Sequence, residues 1–165
     1  MEKEEQKVEI SAPTLTETID TEKNIKNALL QVELPDCINS YAKKEVAYVA
    51  RVIDGDSIVV IINDKEYEVR YIGINTPEYE GAMVEKAEEA TRMNRELVKD
   101  KHILLITDIS ETDKYHRLLR YVFTEDAFIN YELVKLGVAS AVSYPPDIAC
   151  QGLFLEAGRK AQKNY

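Results

Sequence analysis

From Glu45 onward apolar and polar positions alternate with a period of two, in three β-branched runs: VAYVARVI (46–53), SIVVIIN (57–63) and YEVRYIGI (67–74). Such alternation puts one face of each run in a core and the other in solvent, so the pattern predicts three consecutive strands. Asp54-Gly55-Asp56 breaks the first pair, and Asn63-Asp64-Lys65 is short enough for a hairpin, which makes the three antiparallel. The period then changes. Met83, Ala87, Ala90, Leu97 and Val98 fall on one helical face among charges, predicting a helix over 83–99. HILLIT (102–107) and LLRYVF (118–123) read as two more strands around the polar loop 108–116. A short helix over 129–136 stops at Gly137, and an amphipathic helix over 151–163 follows the break at Pro145-Pro146.

Upstream of Glu45 the signal is weaker. Residues 1–20 are charged, rich in Thr and Glu and without periodicity, which predicts a solvated lead-in. The stretch TEKNIKNALLQV (21–32) has Ile25, Ala28, Leu29 and Val32 on one stripe, predicting a short helix capped by Thr21 and ended before Pro35. The chain thus divides into a flexible tail or linker, 1–44, and a compact domain, 45–165. Five strands with about three helices place the domain in the α+β class, as a small, partly open five-stranded barrel of OB type. Barrels of this type commonly bind oligonucleotides or sugars on one face.

Composition narrows the possibilities. A chain of 165 residues with 45% hydrophobic side chains is one ordinary domain with room for a tail. No apolar run approaches the roughly 20 residues that span a bilayer, and Met1-Glu-Lys-Glu-Glu lacks the basic and apolar segments of a secretion signal. Thirty acidic against twenty-one basic side chains give a net charge of -9, with both tail and domain acidic. That charge is the reverse of the basic footprint of proteins that coat nucleic acid, so any phosphate binding must come from a few placed cations. Cys37 and Cys150 are too few for a metal cluster. They read most simply as two unpaired thiols, the alternative being a disulfide that clips the tail to the carboxy-terminal region of an exported protein.

Charged and polar residues converge in three segments at strand ends or in loops: VIDGDS (52–57), VRYIGINTPE (69–78) and TDKYHR (112–117). Hard divalent cations such as calcium take oxygen ligands, so Asp56, the side-chain oxygen of Asn75 and a backbone carbonyl near Thr76 could together form a half-open site for one. Arg70 on a strand and Arg117 on a loop could hold one phosphate from two sides, because the guanidinium fork matches phosphate oxygens. Glu78, behind the stiffening Pro77, is placed to orient or deprotonate a water. Taken singly, Asp56 and Glu78 read as turn or loop acids, Arg70 as a cross-strand ion pair and Arg117 as a surface charge.

These motifs, in the order strand, DGD, strand, R-x-x-x-x-x-T-P-E, helix, D-K-Y-x-R, strand, resemble the staphylococcal nuclease, or thermonuclease-like, domain family from about Val46 to Lys163. The resemblance implies calcium-dependent hydrolysis of DNA and RNA, single strands preferred, leaving 3′-phosphate ends. It implies metal ligation by Asp56, Asn75 and the Thr76 carbonyl, with Arg70, Glu78 and Arg117 as catalytic residues. Lys114, Tyr115 and Tyr144 fall where family members contact the terminal phosphate and the nucleotide. A monomer that is secreted or at the cell surface is the expected form. Three positions depart from the family pattern. Asn75 stands where aspartate is usual, His116 where glycine is commoner, and the segment 139–144 is one residue short, leaving Tyr144 alone where two tyrosines can occur. The alternative is a nuclease-like barrel that turns over slowly or not at all and binds nucleic acid or a protein; Asn75 and the acidic surface favour it. His102, at the start of a strand, reads as structural and His116 as an exposed loop residue.

Overall fold

A computed structural model of the protein describes residues 12–163. The three alternating runs form β1 (Lys44–Val52), β2 (Ser57–Ile62) and β3 (Lys65–Tyr71), paired antiparallel in sequence order. Ile62 faces Lys65, so only Asn63 and Asp64 make the hairpin turn, both with positive φ (48° and 63°), as a tight hairpin of this hand requires. A bulge between Val49 and Arg51 breaks the register of β1 against β2. After a two-residue strand β4 (Ile74–Asn75), a 3-10 turn (Gly81–Met83) leads into α2 (Val84–Val98). Next come β5 (His102–Ile106), β6 (Leu118–Phe123), α3 (Ile129–Lys135), the two-residue β7 (Ser140–Ala141) and α4 (Gln151–Gln162).

The barrel is closed, not partly open. Its order is β1-β2-β3-β6-β5, with β6 parallel to β3 and β5 antiparallel to β1. The parallel β3–β6 pairing is invisible to local patterns, because it joins residues 49 positions apart through register and not through a turn. Val49, Ile58, Val60, Val69, Leu104 and Val122 are fully buried within this sheet. At one end Phe123, Phe128 and Phe154 pack together, Phe123 stacking on Phe128 at 4.3 Å, and join α3 and α4 to the sheet. Gly137 ends α3 with φ 77°, the left-handed conformation expected of it.

The upstream segment differs from its expected form. Helix α1 runs over Leu15–Leu30, starting six residues earlier than the period suggests, and joins the three helices of the domain to make four. Its cap is Thr14 and not Thr21: the Thr14 side chain accepts from the Glu17 amide while the Glu17 carboxylate accepts from the Thr14 amide, a capping box. The Thr21 hydroxyl instead donates to the Glu17 carbonyl within the helix. Of the expected lead-in, residues 1–11 lie outside the described residues and 15–20 are helical. Leu29 is fully buried, with Ile25 and Val32 packed against the core, burial that is worth about 1.5–3 kcal/mol for a leucine. Cys37 and Cys150 are joined in a disulfide, with Cα atoms 5.1 Å apart, so the reading as two free thiols is wrong. The bond fastens the segment after α1 to the residue that begins α4.

Candidate active site

Three loops meet beside the β3–β6 seam. Asp56, immediately before β2, is 5% exposed, and its carboxylate is the hub of the first two. Its Oδ2 accepts from the Thr76 amide (2.7 Å) and hydroxyl (2.9 Å), and its Oδ1 accepts from the Ser57 hydroxyl (3.2 Å) and lies 3.3 Å from Arg70 Nε. Burial pushes the Asp56 carboxyl above its ordinary range, helped by neighbouring Asp54; Arg70 and Thr76 offset only part of this. The turn that carries Asp56 is held by Asp54, whose side chain accepts from the Asp56 amide (3.0 Å). Asn94 of α2 donates to the Asp54 carbonyl (2.8 Å) and accepts from the Tyr71 hydroxyl (2.8 Å).

Arg70 is more committed to the protein than its sequence role implies. Nη1 donates to the carbonyls of Tyr71 (2.8 Å) and Ile74 (3.0 Å), and Nη2 donates to Asn75 Oδ1 (2.9 Å). A guanidinium has five N–H groups. With Nε facing Asp56, one N–H of Nη2 is left for a ligand, so the expected two-pronged grip is not available from Arg70 in this arrangement. Arg117 is freer. Its Nε donates to Asp113 Oδ2 (2.8 Å), Nη1 is 3.9 Å from Glu68, and the remaining N–H groups make no hydrogen bond among the described residues. Asp113 Oδ1 also accepts from the amides of Tyr115 and Arg117 (2.9 and 3.0 Å), folding the loop around the arginine. His116, where the backbone turns with φ 65°, is exposed and occupies a left-handed position that suits glycine.

Arg70 and Arg117 open onto one cleft of about 510 Å³, also lined by Lys114, Tyr115, Tyr144, Pro145 and Asp147. Tyr115 is 67% and Tyr144 61% exposed. Lys114 Nζ lies 5.0 Å and Arg117 Cζ 5.6 Å from the Tyr115 ring centre, within cation–π range. Two carboxylates absent from the sequence reading fix this wall. Asp147 Oδ1 accepts from the amides of Ile109 and Ser110, and Asp108 Oδ2 accepts from the Tyr121 hydroxyl and the Ala149 amide. Asp147 follows two prolines and Asp108 opens the polar loop 108–116; a short acid beside a turn readily caps nearby amides, the one signal that points to either.

Next to the cleft, outside its lining, is the segment 74–80. β4 pairs with β7, Ile74 opposite Ala141 and Asn75 opposite Ser140, tying this segment to the strand that leads to Tyr144. Glu78 is exposed, does not line the cleft, and makes no side-chain hydrogen bond among the described residues. Among those residues no three His, Cys, Asp or Glu side chains come together in a group that could hold a metal ion. The Asp56 carboxylate and the Asn75 amide oxygen meet at the Arg70 guanidinium, and with the carbonyl of Thr76, whose amide donates to Asp56, they make an all-oxygen set of one formal negative charge. Their chemistry fits a hard divalent cation, with weak charge complementarity.

A model of the family described as staphylococcal nuclease homologue matches residues 68–165. A thermonuclease of Staphylococcus intermedius is 34% identical over 118 residues, covering 70% of each chain, and a thermonuclease of Staphylococcus hyicus is 33% identical over 127 residues, covering 75% of each. Endonuclease YncB of Bacillus subtilis (strain 168) is 38% identical over 102 residues, 59% of this chain and 48% of that protein.

Proposed function

The chain belongs to the staphylococcal nuclease family, and from that premise we propose that it is a calcium-dependent phosphodiesterase that hydrolyses DNA and RNA to 3′-phosphate ends. The observation that carries the reading is the meeting of Arg70 and Arg117 in one cleft with Lys114, Tyr115 and Tyr144. Arg117, pinned at Nε by Asp113 with its outer N–H groups free, holds the equatorial oxygens of the scissile phosphate. Arg70 contributes its one remaining N–H and, through Asp56 and Asn75, sets the oxygen donors beside it. Glu78 orients a water and takes its proton as the new phosphorus–oxygen bond forms and the bond to the 5′ oxygen breaks, that oxygen leaving as a hydroxyl protonated from solvent. Asp56, Asn75 and the Thr76 carbonyl are the residues that would hold a calcium ion, which when bound would offset charge on the phosphate. Tyr115 and Tyr144 present exposed rings on which unpaired bases can stack, which favours single-stranded substrate.

An exported, disulfide-permissive compartment goes with this proposal, since the Cys37–Cys150 bond is of the kind that persists outside a reducing cytoplasm. A monomer suffices, because every proposed group is on one chain. The second reading, a barrel that binds nucleic acid or protein without cutting, is favoured by Asn75, whose side-chain oxygen is already engaged by Arg70. Digestion of single-stranded DNA with and without calcium separates the two. The nuclease reading expects cleavage that chelator abolishes and that Glu78→Ser strongly reduces. Oligonucleotide binding without cleavage at any calcium concentration supports the binding module instead.

A further inference from the structure

We infer that Tyr79 is a positioning residue for Glu78, acting through a hydrogen bond to Thr91 on α2; the inference rests on the role proposed for Glu78 above. The Tyr79 hydroxyl donates to Thr91 Oγ1 at 2.7 Å. Thr91 is 5% exposed and spends its own proton on the Ala87 carbonyl one turn back (2.9 Å), so its lone pairs are the only groups it has left for Tyr79. Tyr79 is half-exposed, so apolar burial holds it only in part. What the side chain adds is the tether.

The tether matters because of what lies next to it. Upstream, Thr76 is held to Asp56 by both its amide and its hydroxyl. Downstream, Tyr79 is held to α2. Between the two anchors stand only Pro77, whose φ is fixed by its ring, and Glu78. The Glu80 amide donates to the Glu78 carbonyl (2.8 Å), closing a tight turn on the same residue. An exposed glutamate with no side-chain partner of its own is thus aimed by its backbone, and the backbone is fixed at both sides within three residues. Without the Tyr79 hydroxyl the downstream side keeps only the backbone bonds of Glu80, its amide to the Glu78 carbonyl and its carbonyl from the Met83 amide, and a catalytic base displaced by about 1 Å can lose up to about a hundredfold in rate.

The test compares Tyr79→Phe, Thr91→Val and Thr91→Ser with the parent, each with and without Glu78→Ser, reading kcat and KM on single-stranded DNA together with amide hydrogen exchange over 76–80. The expectation is a fall in kcat of about tenfold in Tyr79→Phe and Thr91→Val with KM unchanged, restored in Thr91→Ser, and absent in the Glu78→Ser background. Exchange at Glu78 to Glu80 should rise in the same two variants. Parent-like kcat and exchange in Tyr79→Phe overturn the inference, as does an equal further loss in the Glu78→Ser background. A parent that cuts nothing while exchange still rises in Tyr79→Phe overturns the function proposed above and leaves the anchor standing.

Discussion

Two arginines that look alike in the sequence have different duties. Arg70 makes three hydrogen bonds and an ion pair inside the protein and is 13% exposed at its side chain, whereas Arg117 is held by Asp113 and otherwise faces the cleft. Lysine keeps the charge but not the fork. Arg70→Lys should therefore lower both activity and stability, the latter by about 2 kcal/mol from lost buried hydrogen bonds. Arg117→Lys should lower kcat by about a hundredfold or more with the fold intact; urea denaturation beside initial rates separates them. Equal destabilisation by the two would contradict the division. Asn75 sets the charge of the oxygen cluster. One more carboxylate there should tighten calcium binding by at least about tenfold, and a calorimetric titration in which Asn75→Asp binds calcium no better than the parent would refute that. Of these residues the motifs name every one, because they share a spacing; what the motifs cannot give is how many N–H groups of Arg70 remain free, since that depends on where the carbonyls of Tyr71 and Ile74 come to lie.

Among elements, Gly55, between β1 and β2, sits where there is no room for a side chain. A Cβ built there would lie 2.7 Å from both Ala90 Cβ on α2 and Thr76 Cγ2, and 2.8 Å from Thr76 Oγ1. The turn, the 74–80 segment and α2 therefore meet at one point, with Asp56 and Thr76 on either side of it. Gly55→Ala should destabilise by about 1–3 kcal/mol through overpacking and disturb the Asp56–Thr76 bonds, measured as a shift in the denaturation midpoint together with a weakened calcium response. Strands β1, β2 and β3 were legible because period two over β-branched residues has one good solution, and α2 because Ala87, Ala90 and Val98 recur at helical spacing. The buried Thr91 and Asn94 on that same face are polar, so an apolar stripe passes over them. Helix α1 was placed too late because its first turns are wholly exposed, with only Leu15 and Ile19 apolar among threonines and acids. Its true start was nonetheless written in the chain: among Thr14, Thr16, Thr18 and Thr21, Thr14 has the glutamate three residues on that closes a capping box.

At the scale of the whole molecule, the disulfide joins residues 113 positions apart, and no pattern in the sequence states a distance between them. Constraining an unfolded loop of that length is worth about 4–5 kcal/mol. Reduction, or Cys150→Ser, should lower the unfolding free energy by that order in urea titrations run with and without reductant, and an unchanged midpoint would mean that the bond does not form in solution. Burial of Leu29 and the contacts of Ile25 and Val32 then hold α1 to the barrel by packing alone. The buried Arg120 completes the picture from the other end of the cleft loop: it donates to the carbonyls of Glu111 and Leu119 and pairs with the carboxylates of Glu45 and Glu111. Burial works to raise the Glu111 carboxyl, but Arg120 and Lys43 hold it below the usual carboxylate range.

The bond between Cys37 and Cys150 also makes the chain a covalent ring with two tails. Arg70, Glu78, Arg117 and Tyr144 all lie on the ring, while α1 and α4 hang from its closing point. A protease that cuts once anywhere inside the ring, the exposed loop around Tyr115 included, releases nothing: the nicked molecule keeps its mass until it meets a reductant. Every cleft residue thus stays tethered to the others through a first cut, and such a protein fails in two separate chemical events instead of one.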